Sequence, residues 1–109
     1  GAMLENVVAA HLLKSCQFWT DLAYGHFELR YIRTKQKEEV DFCIVRDNKP
    51  WLLVECKSQS TELSRTLKKF SAMFPAAMAF QLTAAAADRV VPGTSIRLIN
   101  TERFLSMLI

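Results

Sequence analysis

The sequence lacks most of the features that would commit it to a specialised class. Among its 109 residues are three cysteines, Cys16, Cys43 and Cys56, an odd number with no C-x-x-C spacing. That argues against structural zinc and fits a reduced, cytoplasmic compartment. There are only three glycines, and no Gly-rich loop of the kind that cradles phosphates, so this chain itself is not an ATPase. No apolar run reaches roughly 18 residues, which leaves no membrane-spanning helix to expect, and no secretory signal is visible. Neither an internal repeat nor a low-complexity tract interrupts the chain. Charge of one sign is also modest: the formal net charge is +3 and the pI ≈ 8.9, which permits contact with nucleic acid without demanding it. Half the residues are hydrophobic and 23% are charged, an ordinary globular balance. Gly1, Ala2 and Met3 read as a cloning scar. Residues 4–109 then form a single domain with one modest core, a fragment of a longer protein.

The richest stretch is residues 38–58, EEVDFCIVRDNKPWLLVECKS, two apolar runs flanking a turn. Asp41 sits inside the first run, and Glu55 and Lys57 in the second. Charges there are costly unless they pair or bind a metal. In a strand, residues two apart share a face. Glu55 and Lys57 therefore project with Leu53 and Trp51, and Asp41 with Glu39, Cys43 and Val45. Val40, Phe42 and Ile44 face the other way. A three-residue loop, residues 47–49, pairs Arg46 with Pro50 and sets Asp41 opposite Glu55. Opposed carboxylates repel, and a hard divalent cation relieves that repulsion.

The remaining elements follow from periodicity. Leu4, Val8, Leu12 and Trp19, with Val7 and Cys16, mark an amphipathic helix over residues 4–22, with Glu5 in its first turn and His11 on its surface. Tyr24 and Gly25 end it. Residues 26–34 alternate as a strand, Phe27, Leu29 and Tyr31 on one face and Glu28, Arg30 and Ile32 on the other. A basic loop carrying Arg33, Lys35 and Lys37 follows, and with Arg30 these are candidate phosphate contacts. A second helix covers residues 61–73, capped by Ser60 or Thr61. Its outer face, Arg65, Lys68 and Lys69, offers a second phosphate surface. Residues 76–83 form a buried strand returning beside the Glu55 strand, with Gln81 near the site. Residues 84–87 favour a helical or irregular connection, Pro92-Gly93 makes a turn, and residues 96–99 form a last strand. A terminal helix follows, capped by Asn100 or Thr101, with Phe104, Leu105 and Leu108 turned inward.

Asp41 followed fourteen positions later by Glu55-Cys56-Lys57 resembles the PD-(D/E)XK nuclease superfamily, the restriction-endonuclease-like fold. Leu4-Glu5-Asn6, Val40-Asp41-Phe42 and Val54-Glu55-Cys56-Lys57-Ser58 resemble a narrower group, the uncharacterised C-terminal domain of a family of AAA-type P-loop ATPases. The resemblance implies an α/β fold with an αβββαβ core, a central mixed sheet flanked by helices. It also implies Mg²⁺ or Mn²⁺ held by Asp41, Glu55, Glu5 and the Cys56 carbonyl, with Asp41, Glu55 and Lys57 catalytic. Val40 stands where the motif has proline. An N-terminal ATPase domain of the same protein and a homodimer are the partners it implies.

The function expected is therefore a metal-dependent hydrolase of nucleic-acid phosphodiester bonds, acting on DNA. The alternative is a non-catalytic DNA-binding or regulatory domain attached to an ATPase. A third reading, a buried ion-pair network of Asp41, Glu55 and Lys57, ranks lowest, because a net negative triad raises a carboxylate pKa.

Overall fold

The computed structural model describes residues 2–108. Helix α1, Ala2–Asp21, starts within the tripeptide read as a scar. It seats Val8, Leu12 and Cys16 in the core, whereas Val7 stays exposed. Its end is a Schellman arrangement: Tyr24 N–H donates to Trp19 C=O at 3.1 Å and Ala23 N–H to Thr20 C=O at 3.0 Å. Ala23 occupies the left-handed position at φ 63°, so the break comes two residues before Gly25.

Three antiparallel strands follow, β1 Phe27–Arg33, β2 Glu39–Arg46 and β3 Lys49–Cys56. Helix α2, Arg65–Met73, then crosses to β4, Met78–Thr83, which lies parallel to β3. The expected αβββαβ order is thus the first six elements. β5 (Asp88–Val90), β6 (Ile96–Asn100) and α3 (Thr101–Ser106) complete the chain. The mixed sheet runs β1-β2-β3-β4-β6-β5. Residues 84–87 are not helical. They lead into β5, an exposed edge strand whose Asp88 is bonded to Arg97 across the ladder at 2.6 Å.

Each face of the sheet carries one core. On the first, α1 and α3 cover Phe42, Ile44, Leu52, Val54, Leu82 and Ile99. On the second, α2 lays Leu67 and Phe70 over Val40, Cys43, Leu53, Ala79 and Ile96. Ser64, not Ser60 or Thr61, caps α2, its hydroxyl accepting from Leu67 N–H at 3.2 Å. The helix is four residues shorter than the sequence suggests because the polar stretch before it is held by other bonds. Asn100 caps α3 as expected, accepting from Arg103 N–H.

Two β-bulges set the faces of the central strands. The β2–β3 connection has two residues, Asp47 and Asn48, both left-handed at φ 50° and 68°. Such a turn matches strand twist better than a three-residue loop, and it pairs Arg46 with Lys49. A shift between Ile44 and Val45 then absorbs one extra residue, Trp51. Beyond it the register runs Ile44↔Leu52, Cys43↔Leu53, Phe42↔Val54, and its continuation sets Asp41 opposite Glu55. Trp51 consequently packs on the α1 side, in T-shaped contact with Trp19 and Phe27, rather than on the face of Leu53. The second bulge lies in β2 between the pairs Arg30↔Cys43 and Ile32↔Val40. It turns Val40 to the α2 side with Cys43, so the strict alternation expected through Asp41 breaks there.

Candidate functional site

β2 and β3 part company just beyond the Phe42↔Val54 pair, and the candidate site lies in the fork. Cys56 N–H donates to Asp41 Oδ2 at 2.8 Å, so a side chain takes the place of the next ladder bond. A strand residue's N–H and C=O point to the same side, which aims the Cys56 carbonyl toward Asp41 as well. Glu55, only 6% exposed, leaves β3 on the α2 side. Its carboxyl lies near enough to that of Asp41 for the two to interact, and it accepts from Ser64 Oγ at 3.4 Å. The pair stays together although the bulge sends Asp41 to the border of an α1-side cleft.

The electrostatics follow from that contact. Burial first, and then the neighbouring Asp41 carboxyl and its charge, raise the Glu55 pKa from 4.5 to about 8. The Lys57 ammonium and the Ser64 hydroxyl pull it back. Near neutral pH Glu55 thus keeps its proton. Lys57 is exposed just past β3, its N–H anchored on Leu82 C=O at 2.9 Å. The Cys56 thiol is raised to about 12 by burial and by the charges of Asp41, Glu5 and Glu55. It is therefore no nucleophile.

Glu5 lies on the α1 side. It borders a cleft of about 230 Å³ shared with Asn6, Tyr31, Arg33, Glu39 and Asp41. Among the described residues, no group of three or more His, Cys, Asp or Glu side chains stands close enough to hold a metal ion. The geometry therefore joins Asp41, Glu55 and the Cys56 peptide, while Glu5 shares the cleft without closing a third ligand. The donors that do meet are hard oxygens, the set suited to Mg²⁺ or Mn²⁺.

The four expected phosphate contacts separate into two pairs. Arg30 is bonded to Glu28, and Arg33 to Glu39 at 2.9 Å. Lys35 and Lys37 are exposed on the tight β1–β2 turn, which is closed by bonds between Thr34 and Glu38. His26 is engaged by Glu28 at 2.7 Å, and His11 lies on the helix surface.

Two positioning residues emerge from the fold. Gln81, fully buried beside Glu55 in the β3–β4 register, accepts from Ser64 N–H at 2.8 Å and donates to Glu62 C=O at 2.7 Å. It pins the segment that brings Ser64 to Glu55. The signal for Ser64 in the sequence is its place directly before Arg65-Thr66-Leu67, where a serine with an N–H to accept three residues on makes a cap.

No curated protein matches the chain, and no solved structure matches it. The family model described as a domain of unknown function, DUF4143, matches residues 1–104. That domain is found at the C-terminus of AAA-ATPase-like proteins, and the chain belongs to this family.

Proposed function

We propose that this domain is a divalent-metal-dependent nuclease of the PD-(D/E)XK type, hydrolysing phosphodiester bonds in DNA. One observation carries the reading: the buried Glu55 carboxyl lies beside that of Asp41 at a strand fork, with an exposed ammonium two positions after the buried one. A hard divalent cation would relieve the repulsion between the two carboxylates. Asp41 and Glu55 would hold Mg²⁺ or Mn²⁺, aided by the Cys56 carbonyl, and the ion would supply Lewis-acid stabilisation of the phosphate and acidify a water.

The chain's own groups do the rest. Lys57, anchored at its backbone and free at its tip, orients the attacking water and offsets phosphate charge. Ser64 and Gln81 fix the Glu55 carboxyl from the α2 side. Asp41 is held in register by Cys56 N–H.

A second reading, a non-catalytic DNA-binding or regulatory domain, is favoured by the incomplete ligand group on the α1 side. The two part in one experiment. The purified domain is titrated with Mn²⁺ and incubated with supercoiled, linear and branched DNA, beside Asp41→Asn and Glu55→Gln variants. Saturable Mn²⁺ binding, with cleavage lost in both variants, is the expected result. DNA binding without cleavage at any Mn²⁺ concentration leaves the second reading.

A further inference from the structure

The Lys69 ammonium of α2 reaches Glu38 at 2.6 Å, bridging 31 positions of sequence. That ion pair draws the β1–β2 turn against the outer face of α2, so two basic segments that are remote in the chain become one surface. On it stand Lys35 and Lys37 from the turn and Arg65, Lys68 and Lys69 from the helix, all exposed. The nearby carboxylates are Glu38, already engaged by Lys69, and the exposed Glu62. Five cations against two carboxylates give this face an excess equal to the +3 of the whole chain. The α1 side of the fork is different: Glu5, Glu39 and Asp41 border its cleft against one cation, Arg33, which Glu39 already holds. A polyanion approaching the Asp41–Glu55 fork is thus drawn in over α2 and the turn.

We infer that Lys35, Lys37, Arg65 and Lys68 form a surface that grips the phosphate backbone of double-stranded nucleic acid, with Glu38–Lys69 holding its two halves in register. The inference deepens the nuclease reading, and rests on it for the substrate class. It also displaces Arg30 and Arg33, which Glu28 and Glu39 hold at the outer strand. Duplex is favoured over single strand because strand binders stack bases on aromatic side chains. The large exposed aromatics among the described residues, Phe18, Tyr24 and Tyr31, lie on α1, after it, and on the α1 side of β1. The α2 face offers charge alone, which reads backbone and not bases.

The turn is built to present its lysines. Lys37 N–H donates to Thr34 C=O at 3.0 Å, and Glu38 N–H donates to Thr34 Oγ1 at 3.2 Å. Lys37 itself sits in the left-handed region at φ 62°. Both ammonium groups therefore project from a closed loop whose backbone does not need to order on binding.

The test is fluorescence anisotropy with a short labelled duplex DNA in EDTA, at salt from about 50 to about 200 mM. The variant carries Lys35→Gln, Lys37→Gln, Arg65→Gln and Lys68→Gln, all at exposed positions, with its thermal transition measured alongside. Each phosphate contact contributes about 0.9 to the log–log salt slope, so the variant should lose about 3 to 4 from it and bind at least about tenfold more weakly. An Arg30→Gln, Arg33→Gln control should change affinity less than about twofold. A folded quadruple variant that keeps the wild-type slope overturns the inference, as does a single strand that binds more tightly than the duplex. Glu55→Gln separates the two readings, because it should bind duplex like wild type. Wild-type binding without any cleavage in Mn²⁺ overturns the nuclease reading and leaves this surface standing. Cleavage with wild-type binding by the quadruple variant does the reverse.

Discussion

Replacing Glu55 by glutamine should stabilise the protein, and by more as the pH rises. The folded Glu55 pKa is about 8, against 4.5 for the ordinary carboxyl. Between those values the folded protein keeps a proton that the unfolded chain has released, so wild-type stability falls as pH rises through the interval. Below 4.5 both states are protonated and nothing is lost. Each pH unit inside the interval is worth about 1.4 kcal/mol, which gives a ceiling of roughly 5 kcal/mol at pH 8. Relaxation around the charged pair reduces this to about 2–4 kcal/mol, still a large share of a total near 5–15 kcal/mol. Glutamine copies the protonated carboxyl: its NH₂ donates to Asp41 and its C=O accepts from Ser64. The measurement is urea denaturation of both proteins from pH 5 to pH 8. With a slope of about 1–3 kcal/mol/M, the midpoints should nearly coincide at pH 5 and differ by about 1 M or more at pH 8. Parallel stability curves, or a wild type that gains stability over this range, would refute the reasoning.

Further outcomes follow from the supports of the same site. Ser64→Ala removes the α2 cap and the hydroxyl that favours ionised Glu55; it should cost about 1 kcal/mol, a fall of about 4–8 °C in Tm by calorimetry. Gln81→Leu leaves Ser64 N–H and Glu62 C=O without their partner, and urea denaturation should show a loss of about 2–4 kcal/mol. Ala23→Gly relieves a left-handed alanine at φ 63° and should raise stability by up to about 1 kcal/mol. Gly25→Ala should do the opposite, because φ is 141° and a Cβ would lie 2.9 Å from Arg46 Nε. All three thiols have raised pKa values, Cys16 to about 11, Cys56 to about 12, and Cys43 in the same direction. A thiol reagent at pH 8 should therefore label the native protein far more slowly than the urea-unfolded chain.

Periodicity was enough to recover the order of every element except β5, a three-residue edge strand that is exposed throughout and so has no apolar pattern to announce it. Val8, Leu12 and Cys16 recur at helical spacing, and Leu52 to Val54 form a continuous buried run between helices. What periodicity does not carry is a bulge. One extra residue at Trp51 and another in β2 reverse which face a side chain takes, and a pattern of period two cannot announce them. The pairing of Asp41 with Glu55 was reached by a three-residue loop with no bulge. The protein reaches the same pairing with a two-residue loop and one bulge, since both routes leave the strands equally offset beyond it. Short polar segments were legible only in part. Ser60, Thr61 and Ser64 are all competent caps, and the choice falls to Ser64 because the buried Gln81 amide binds its N–H, a contact 17 residues away that no local window contains.

Two accounts of the acidic pair predict opposite signs for one substitution. If Asp41, Glu55 and Lys57 form a structural ion-pair network, neutralising Glu55 breaks it, and removing one partner of a buried pair destabilises by about 3–5 kcal/mol. If instead the pair is held together against its own repulsion to receive a cation, neutralising Glu55 removes a burden that the fold carries for function, and stability rises. Burial is the largest cause of the Glu55 shift, and the Asp41 charge adds to it. Lys57, exposed to solvent, compensates only in part. The balance of these causes favours the second sign. Added Mn²⁺ sharpens the contrast, because a ligand that binds only the folded state stabilises by RT ln(1 + [L]/Kd). At about 100 times Kd that is about 2.7 kcal/mol for wild type. The Glu55→Gln protein, already relieved and short of a ligand, should gain far less, so that saturating Mn²⁺ narrows or reverses the gap at pH 8.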